Sequence, residues 1–435
     1  MLELSPQDTF ARYALWLLEG RQVEAFVRNR PQDVLDAALD FLRAGLTQEA
    51  ARVLRTCTAP DQLICYYLAA VTSEAPQPGG MALCFPNRLE DIAILRRFGD
   101  EWQAQYLLGC LYYDRMNYAA AREAWGRSTQ LNPGCAFAWR NLAQALFDHF
   151  DQKQQARACL EKALELAPDN ARIVYELLQL YKNIGMPIAE RLTSLERHQA
   201  LAMQRDDCAL DMIILYVQLG RYEQARALLL SRRFNIYEGG EGKLTRLHGW
   251  LYTLLGCQAM EQNDPAQALR WFKEALVFPA NYGEGRHYSA QEGQIHYCTG
   301  LLLASQGDAE GAKAEWLAAA GQPAHISEIS YFAAKSLEKL GRSEEARTLY
   351  TAMLQNAEQR LASKSLYGYF GVGMPAPLPY ESDIERQNSI PALLIKALAE
   401  KGLGRAEDCA HTVDALLALD PEGQPFTFFR ALGIL

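Results

Sequence analysis

Apolar and small residues recur along the chain with the spacing of helical faces, and the faces come in pairs. In YLLGCLYYDRMNYAAAREAWGRSTQLNP, Leu108, Gly109 and Tyr112 fall on one helical face. Asn117 marks a short turn, Ala121, Trp125 and Ser128 fall on a second face, and Pro133 closes the unit. The order returns as Gly256, Ala268, Phe272 and Ala275, as Gly300, Gly307, Ala312, Trp316 and Ala319, and as Ala334, Gly341, Ala346 and Tyr350. Each unit is therefore two helices, repeating with a period of about 34 residues. This predicts helical pairs near 31–58, 102–133, 136–168, 206–231, 249–279, 293–321, 327–355 and 390–420. Residues 171–205 begin in phase, with Tyr175, Leu178 and Tyr181, and then depart, which predicts helices with altered packing. Residues 73–90 and 365–389 are broken by Pro and Gly and read as irregular. No stretch reads as a β-rich domain.

The spacing has a physical reading. Small residues on the first helix let the second approach closely, and an aromatic on the second fills the gap to the next unit. Gly at the turn between them takes a conformation other residues resist. These residues resemble tetratricopeptide repeats (TPR). The expected fold class is all-α, a right-handed α-solenoid of TPR-like helical hairpins, about 8–10 units stacked to leave a concave groove. Residues 1–100 are expected to form N-terminal helical capping repeats with an irregular loop at 73–90. Residues 101–360 form the array, and 361–435 an irregular loop followed by a C-terminal TPR-like repeat. Trp102, Trp125, Trp139, Trp271 and Trp316 read as core wedges rather than ligand stackers.

Composition narrows the partners. The 435 residues include 49% apolar residues and carry a formal net charge of -9. Nucleic acid and anionic membrane both call for a cationic surface, so neither is expected as the main partner. The ten cysteines form no C-x-x-C pair and sit among apolar helical positions, so they are expected reduced, as in a cytoplasmic protein. The opening MLELSPQDTF shows no cationic segment before an apolar run, so no signal peptide is expected. No stretch approaches the roughly 18 apolar residues of a membrane span.

Catalytic signatures do not emerge. EGGEGKL fails the phosphate-loop spacing because Tyr237 stands five residues before Gly242. GVGMPA leads into prolines rather than a helix, and neither H-E-x-x-H nor G-x-S-x-G occurs. His287 and His296, with Glu284 and Glu292 nearby, read as polar groups on a helix face in preference to a metal site. No catalytic residue, metal or cofactor is assigned, and the chain is expected to be non-enzymatic.

Two loops stand out. EGGEGK (238–243) and NYGEGR (281–286) share glycine, glutamate, glycine and then a cation. Repeat phase puts them on the same edge of neighbouring units. One reading is a tight inter-repeat loop, with the glycines supplying positive φ and a Glu carboxylate capping the following helix. The other is a docking or ligand site built from Tyr237, Glu238, Gly239, Gly240, Glu241, Gly242 and Lys243 in the first loop. Tyr282, Gly283, Glu284, Gly285 and Arg286 would serve in the second, with His287, Gln291, Glu292 and His296 on the helix after it. Arg232 and Arg233 in SRR suit a helix C-terminus better than an anion site. Tyr367, Tyr369 and Phe370 would cover the array or contact a partner.

A more specific resemblance rests on FPNRLEDIAIL at 85–95, WRNLAQALF at 139–147, VYELLQLYK and ERLTSLERH within 174–198, and QRDDCALDMIILYVQLGRYEQARALLLSRRF at 204–234. It continues through EGGEGK, through NYGEGRHYSAQEGQIHYCTG at 281–300, and through ESDIERQNSIPALLIKALAEKGLGR at 381–405. These stretches resemble the C-terminal TPR half of a bacterial family of large proteins. The N-terminal half of that family is a galactose-mutarotase-like β-sandwich of uncharacterised function. That half is not in this sequence, and Arg286 stands where relatives often carry Lys. The resemblance implies a link to carbohydrate metabolism and a β-sandwich partner, in cis or in trans, with a carbohydrate contact. Two alternatives stay open. The array would lend Glu238, Glu241 or Glu284 to a carbohydrate-processing site completed by the sandwich, or it would act as a peptide-binding regulator.

Overall fold

A computed structural model describes residues 3, 5, 6, 8–20, 30–235, 241–286, 290–321, 325–363 and 384–435. The chain divides into two compact units, Met1–Ile173 and Val174–Leu435. The first holds α1 (Thr9–Glu19), α2 (Pro31–Arg43), α3 (Thr47–Leu54), α4 (Gln62–Thr72), α5 (Leu89–Arg97), α6 (Trp102–Asp114), α7 (Tyr118–Leu131), α8 (Ala136–Phe150) and α9 (Lys153–Leu166). The second holds α10 (Ala171–Asn183), which starts just before the division, then α11 (Ile188–Arg197), α12 (Gln199–Ala202), α13 (Asp206–Gln218), α14 (Tyr222–Ser231), α15 (Lys243–Glu261) and α16 (Pro265–Glu274). It continues with α17 (Gly293–Ser305), α18 (Ala309–Ala320), α19 (Ser330–Lys339), α20 (Ser343–Ala362), α21 (Ile384–Gly402), α22 (Ala406–Leu419) and α23 (Gln424–Ala431). Among the described residues there is no strand, only an isolated bridge between Asp61 and Gly80. The protein is all-α, and its helices pair into stacked hairpins within each unit.

Close approach explains the pairing. A Cβ placed on Gly109 would fall 2.4 Å from the Trp125 indole, one on Gly256 2.2 Å from the Phe272 ring, and one on Gly300 2.4 Å from the Trp316 indole. Only glycine lets the two helices of each hairpin meet there. The aromatic thus fills its own hairpin, where the sequence pattern placed it against the next unit. Tyr350 does reach the next unit, packing on Gly402 of α21. The turn between paired helices has one left-handed residue, Gly45, Gly220, Gly307, Gly341 or Gly404 in five hairpins and Met116, Asp151 or Asn263 in three others.

Three elements differ from the sequence pattern. Helix α15 begins at Lys243, ahead of the expected 249, and α20 runs on to Ala362. The irregular segment expected at 365–389 lies outside the described residues as far as 383. From Ile384 onward the chain is helical, with Pro391 inside α21. The third difference is α23, which forms no hairpin and packs on α13, α15 and α21, the first helices of their pairs. The ten cysteines are free thiols, seven of them buried.

Candidate functional site

The described end of the first loop, Glu241 to Lys243, meets the second loop, 281–286, in the second unit. Gly242 opens α15 at φ 75° and offers no side chain to cap it. Glu284, from the other loop, supplies the cap across the repeat. Its carboxylate accepts from the backbone N–H of Gly242 at 2.9 Å and of Thr245 at 3.3 Å. An acid at a helix N-terminus also suits the helix dipole. Gly283, at φ 73°, makes the turn that turns Glu284 toward α15. Asn281 fastens the approach, donating to the carbonyls of Leu229 and Arg232 while its own carbonyl accepts from Phe234 N–H. Arg232 pairs with Asp206 and donates to Met203 O, so it serves the end of α14 locally.

Tyr282 points inward. It is fully buried, and its hydroxyl lies 2.8 Å from His248 Nδ1 on α15. His248 Nε2 faces the Glu274 carbonyl at 3.0 Å. A carbonyl only accepts, so Nε2 carries the proton and Nδ1 accepts from the tyrosine. Burial holds this imidazole neutral, with its pKa pushed down to about 4. His248 did not stand out in the sequence, where it reads as one polar residue in an apolar helix.

Beside this packed region is a cleft of about 300 Å³, formed where α15, α17 and α19 begin. Glu241, Gly242, Lys243, Gln291 and Glu292 line it, as the sequence pattern grouped them. Of the lining residues outside that grouping, Arg246 and Glu328 form an ion pair between the starts of α15 and α19. Gln291 donates to His325 O at 3.1 Å and accepts from the Ser327 hydroxyl, closing the side between α17 and α19. Arg286 pairs with the buried Glu292 at 2.5 Å. His296 faces away from this group and meets Glu315 of α18 at 2.7 Å. Tyr237, Glu238, Gly239, Gly240 and His287 lie outside the described residues, as do Tyr288, Tyr367, Tyr369 and Phe370.

The most informative residue in the cleft is Gln294. It is 3% exposed, lies over Gly249, and its amide oxygen has no hydrogen-bond partner among the described residues. A buried unpaired amide oxygen costs about 1–3 kcal/mol, a cost that a donor entering the cleft would remove. The sequence signal was there, a polar residue at an inward position of α17, but periodicity alone does not separate it from solvated neighbours. Among the described residues no cluster of three metal-ligating side chains occurs. No described helix is long and apolar enough to cross a membrane.

A family model for the tetratricopeptide repeat matches residues 106–171, which span most of α6 and all of α7, α8 and α9. That segment carries tetratricopeptide repeats. Among solved structures the chain is similar to the MamA protein, at 17% identity over 45% of this chain and 85% of that one, with a TM-score of 0.28. It is similar to a tetratricopeptide repeat protein from Parabacteroides merdae ATCC 43184, at 12% identity over 70% and 98% of the two chains, with a TM-score of 0.27. It is also similar to the TPR domain of P58(IPK), at 14% identity over 79% and 91%, with a TM-score of 0.24.

Proposed function

We propose that the chain is a TPR scaffold that docks a protein, and that the cleft where α15, α17 and α19 begin anchors a side chain or loop tip of that partner. The observation that carries the proposal is the buried, unpartnered oxygen of Gln294 in a cleft of about 300 Å³. That volume suits an anchoring group better than a whole surface. The favoured donor is a side-chain N–H or hydroxyl, with Arg246–Glu328 and Arg286–Glu292 as the charged rim. The partner we favour is a mutarotase-like β-sandwich domain, in cis or in trans, which is where the link to carbohydrate metabolism would enter. Both oxygens of Glu284 are engaged by backbone N–H groups, which favours docking over a catalytic carboxylate at that position.

The test is an affinity column carrying the wild-type chain beside one carrying Gln294→Leu with Glu328→Gln. The expected result is a β-sandwich protein retained by the first column and reduced at least tenfold on the second. Equal retention on both removes the cleft from the docking site.

A further inference from the structure

Helix α23 lies across α13, α15 and α21, the first helices of three hairpins, and fills that face from within the same chain. Phe426, Phe428 and Phe429 are 5%, 2% and 0% exposed. Phe428 and Phe429 lie 5.0 and 5.4 Å from the Trp250 ring of α15, and Phe429 stacks on Phe332 of α19 at 5.4 Å. This is a closely packed cluster of buried aromatic side chains, the kind of contact that dominates the energy of protein interfaces. An eight-residue helix has little stability of its own, so α23 is helical because this surface holds it.

The segment leading into α23 is held differently. Glu422 Oε2 accepts from the backbone N–H of Ile188, at the start of α11, at 2.8 Å, and from Arg191 at 3.4 Å. Gln218 donates to the Glu422 carbonyl at 2.6 Å. Beneath residues 420–425 lies a cavity of about 390 Å³ lined by Lys182, Arg191, Asp211 and Glu422. The Arg191 Nε is buried there and has no hydrogen-bond partner among the described residues. The approach to the helix is thus polar and lies over a cavity, held by the Glu422 carboxylate, by Gln218, which also donates to Thr427 Oγ1, and by Arg386, which donates to Leu419 O, while the helix itself is a buried aromatic plug.

We propose that Glu422–Phe429 is a displaceable cis ligand, and that this face receives a partner helix of the same chemistry. That helix carries an acid followed by phenylalanines four, six and seven positions later, the spacing of Glu422, Phe426, Phe428 and Phe429. The acid takes the start of α11 and Arg191, and the phenyl rings take Trp250 and Phe332. The inference goes beyond the cleft reading. The two sites share Trp250, but the variants that test them do not overlap.

The probe is a fluorescein-labelled peptide of residues 419–435, titrated by anisotropy into the full chain, wild type and Glu422→Lys. The Lys variant loosens its own segment, so the peptide is expected to bind it at least tenfold more tightly than wild type. A peptide carrying Phe428→Ala is expected to lose that binding. Equal affinity for the two chains, or no binding to either, overturns the proposal. Hydrogen exchange on the unaltered chain decides the case if Glu422→Lys does not fold. Amides of α23 are then expected to exchange at least tenfold faster than those of α13 and α15, and exchange in step with α13 and α15 makes α23 ordinary core and overturns the proposal.

Discussion

His248 shows how one buried side chain sets a pH limit. Its folded pKa is pushed down by burial to about 4, against 6.5 for a freely solvated imidazole. Between those values the unfolded chain takes up a proton that the folded chain refuses. Its contribution to stability is therefore complete above pH 6.5 and shrinks as pH falls toward 4. The full swing is roughly 3 kcal/mol, from about 1.4 kcal/mol per pK unit. Urea midpoints at pH 7 and pH 4.5, compared for wild type and His248→Gln, isolate this residue from the carboxylates common to both chains. The variant is expected to be weaker at pH 7, because it loses the Tyr282 and Glu274 partners, and to show a flatter pH dependence. Identical pH slopes for the two chains would remove His248 as the cause.

At the scale of the helix pair, the stabilising device is a glycine beneath an aromatic ring. In α17 and α18 the Trp316 indole sits where a Cβ on Gly300 would be. Gly300→Ala is expected to destabilise the protein by about 1–3 kcal/mol through overpacking, although alanine is the better helix former. Adding Trp316→Leu to Gly300→Ala should cost less than the two single changes summed, by about 1 kcal/mol, because the smaller side chain relieves the clash. Urea titration of the four chains measures this coupling, and full additivity would contradict the packing account. The residues of these pairs were legible in the sequence because they recur locally, while their contact was not, since the pattern set each aromatic against the next unit. Gly109 and Trp125, Gly256 and Phe272, and Gly300 and Trp316 each fall within one repeat, so periodicity locates both partners. The left-handed turns were legible wherever glycine fills them and silent at Met116, Asp151 and Asn263, where the repeat geometry imposes the conformation on other residues.

At the scale of the whole molecule, what the sequence left hidden is long-range. Repeat phase put EGGEGK and NYGEGR on one edge, and Glu284 does bond Gly242. Nothing local announces that Arg246 meets Glu328, or that Glu422 returns to Arg191 and Gln218. The pattern read the C-terminal region as one more repeat, and α23 instead lies across the first helices of earlier pairs. Phe426, Phe428 and Phe429 carry an apolar signal that any buried helix would give, without saying what they are buried against. Gln294 was visible as a polar residue of α17, but its role was not, since that depends on Glu328 and Ser327 arriving from the next repeat to enclose it. The docking reading rests on that enclosure.

If a partner enters this cleft, a photocrosslinker placed on its rim captures that partner. A photoreactive benzoylphenylalanine would replace Lys243, exposed on the cleft rim, and in a parallel chain Glu310, exposed on α18. Both chains would be irradiated in extract and their adducts identified by mass spectrometry. One dominant adduct is expected from position 243, mapping to a β-sandwich protein, with none of it from position 310. An adduct to a protein of another fold would keep the docking site and reject that partner. Equal adducts from both positions, or none from position 243, would contradict the claim.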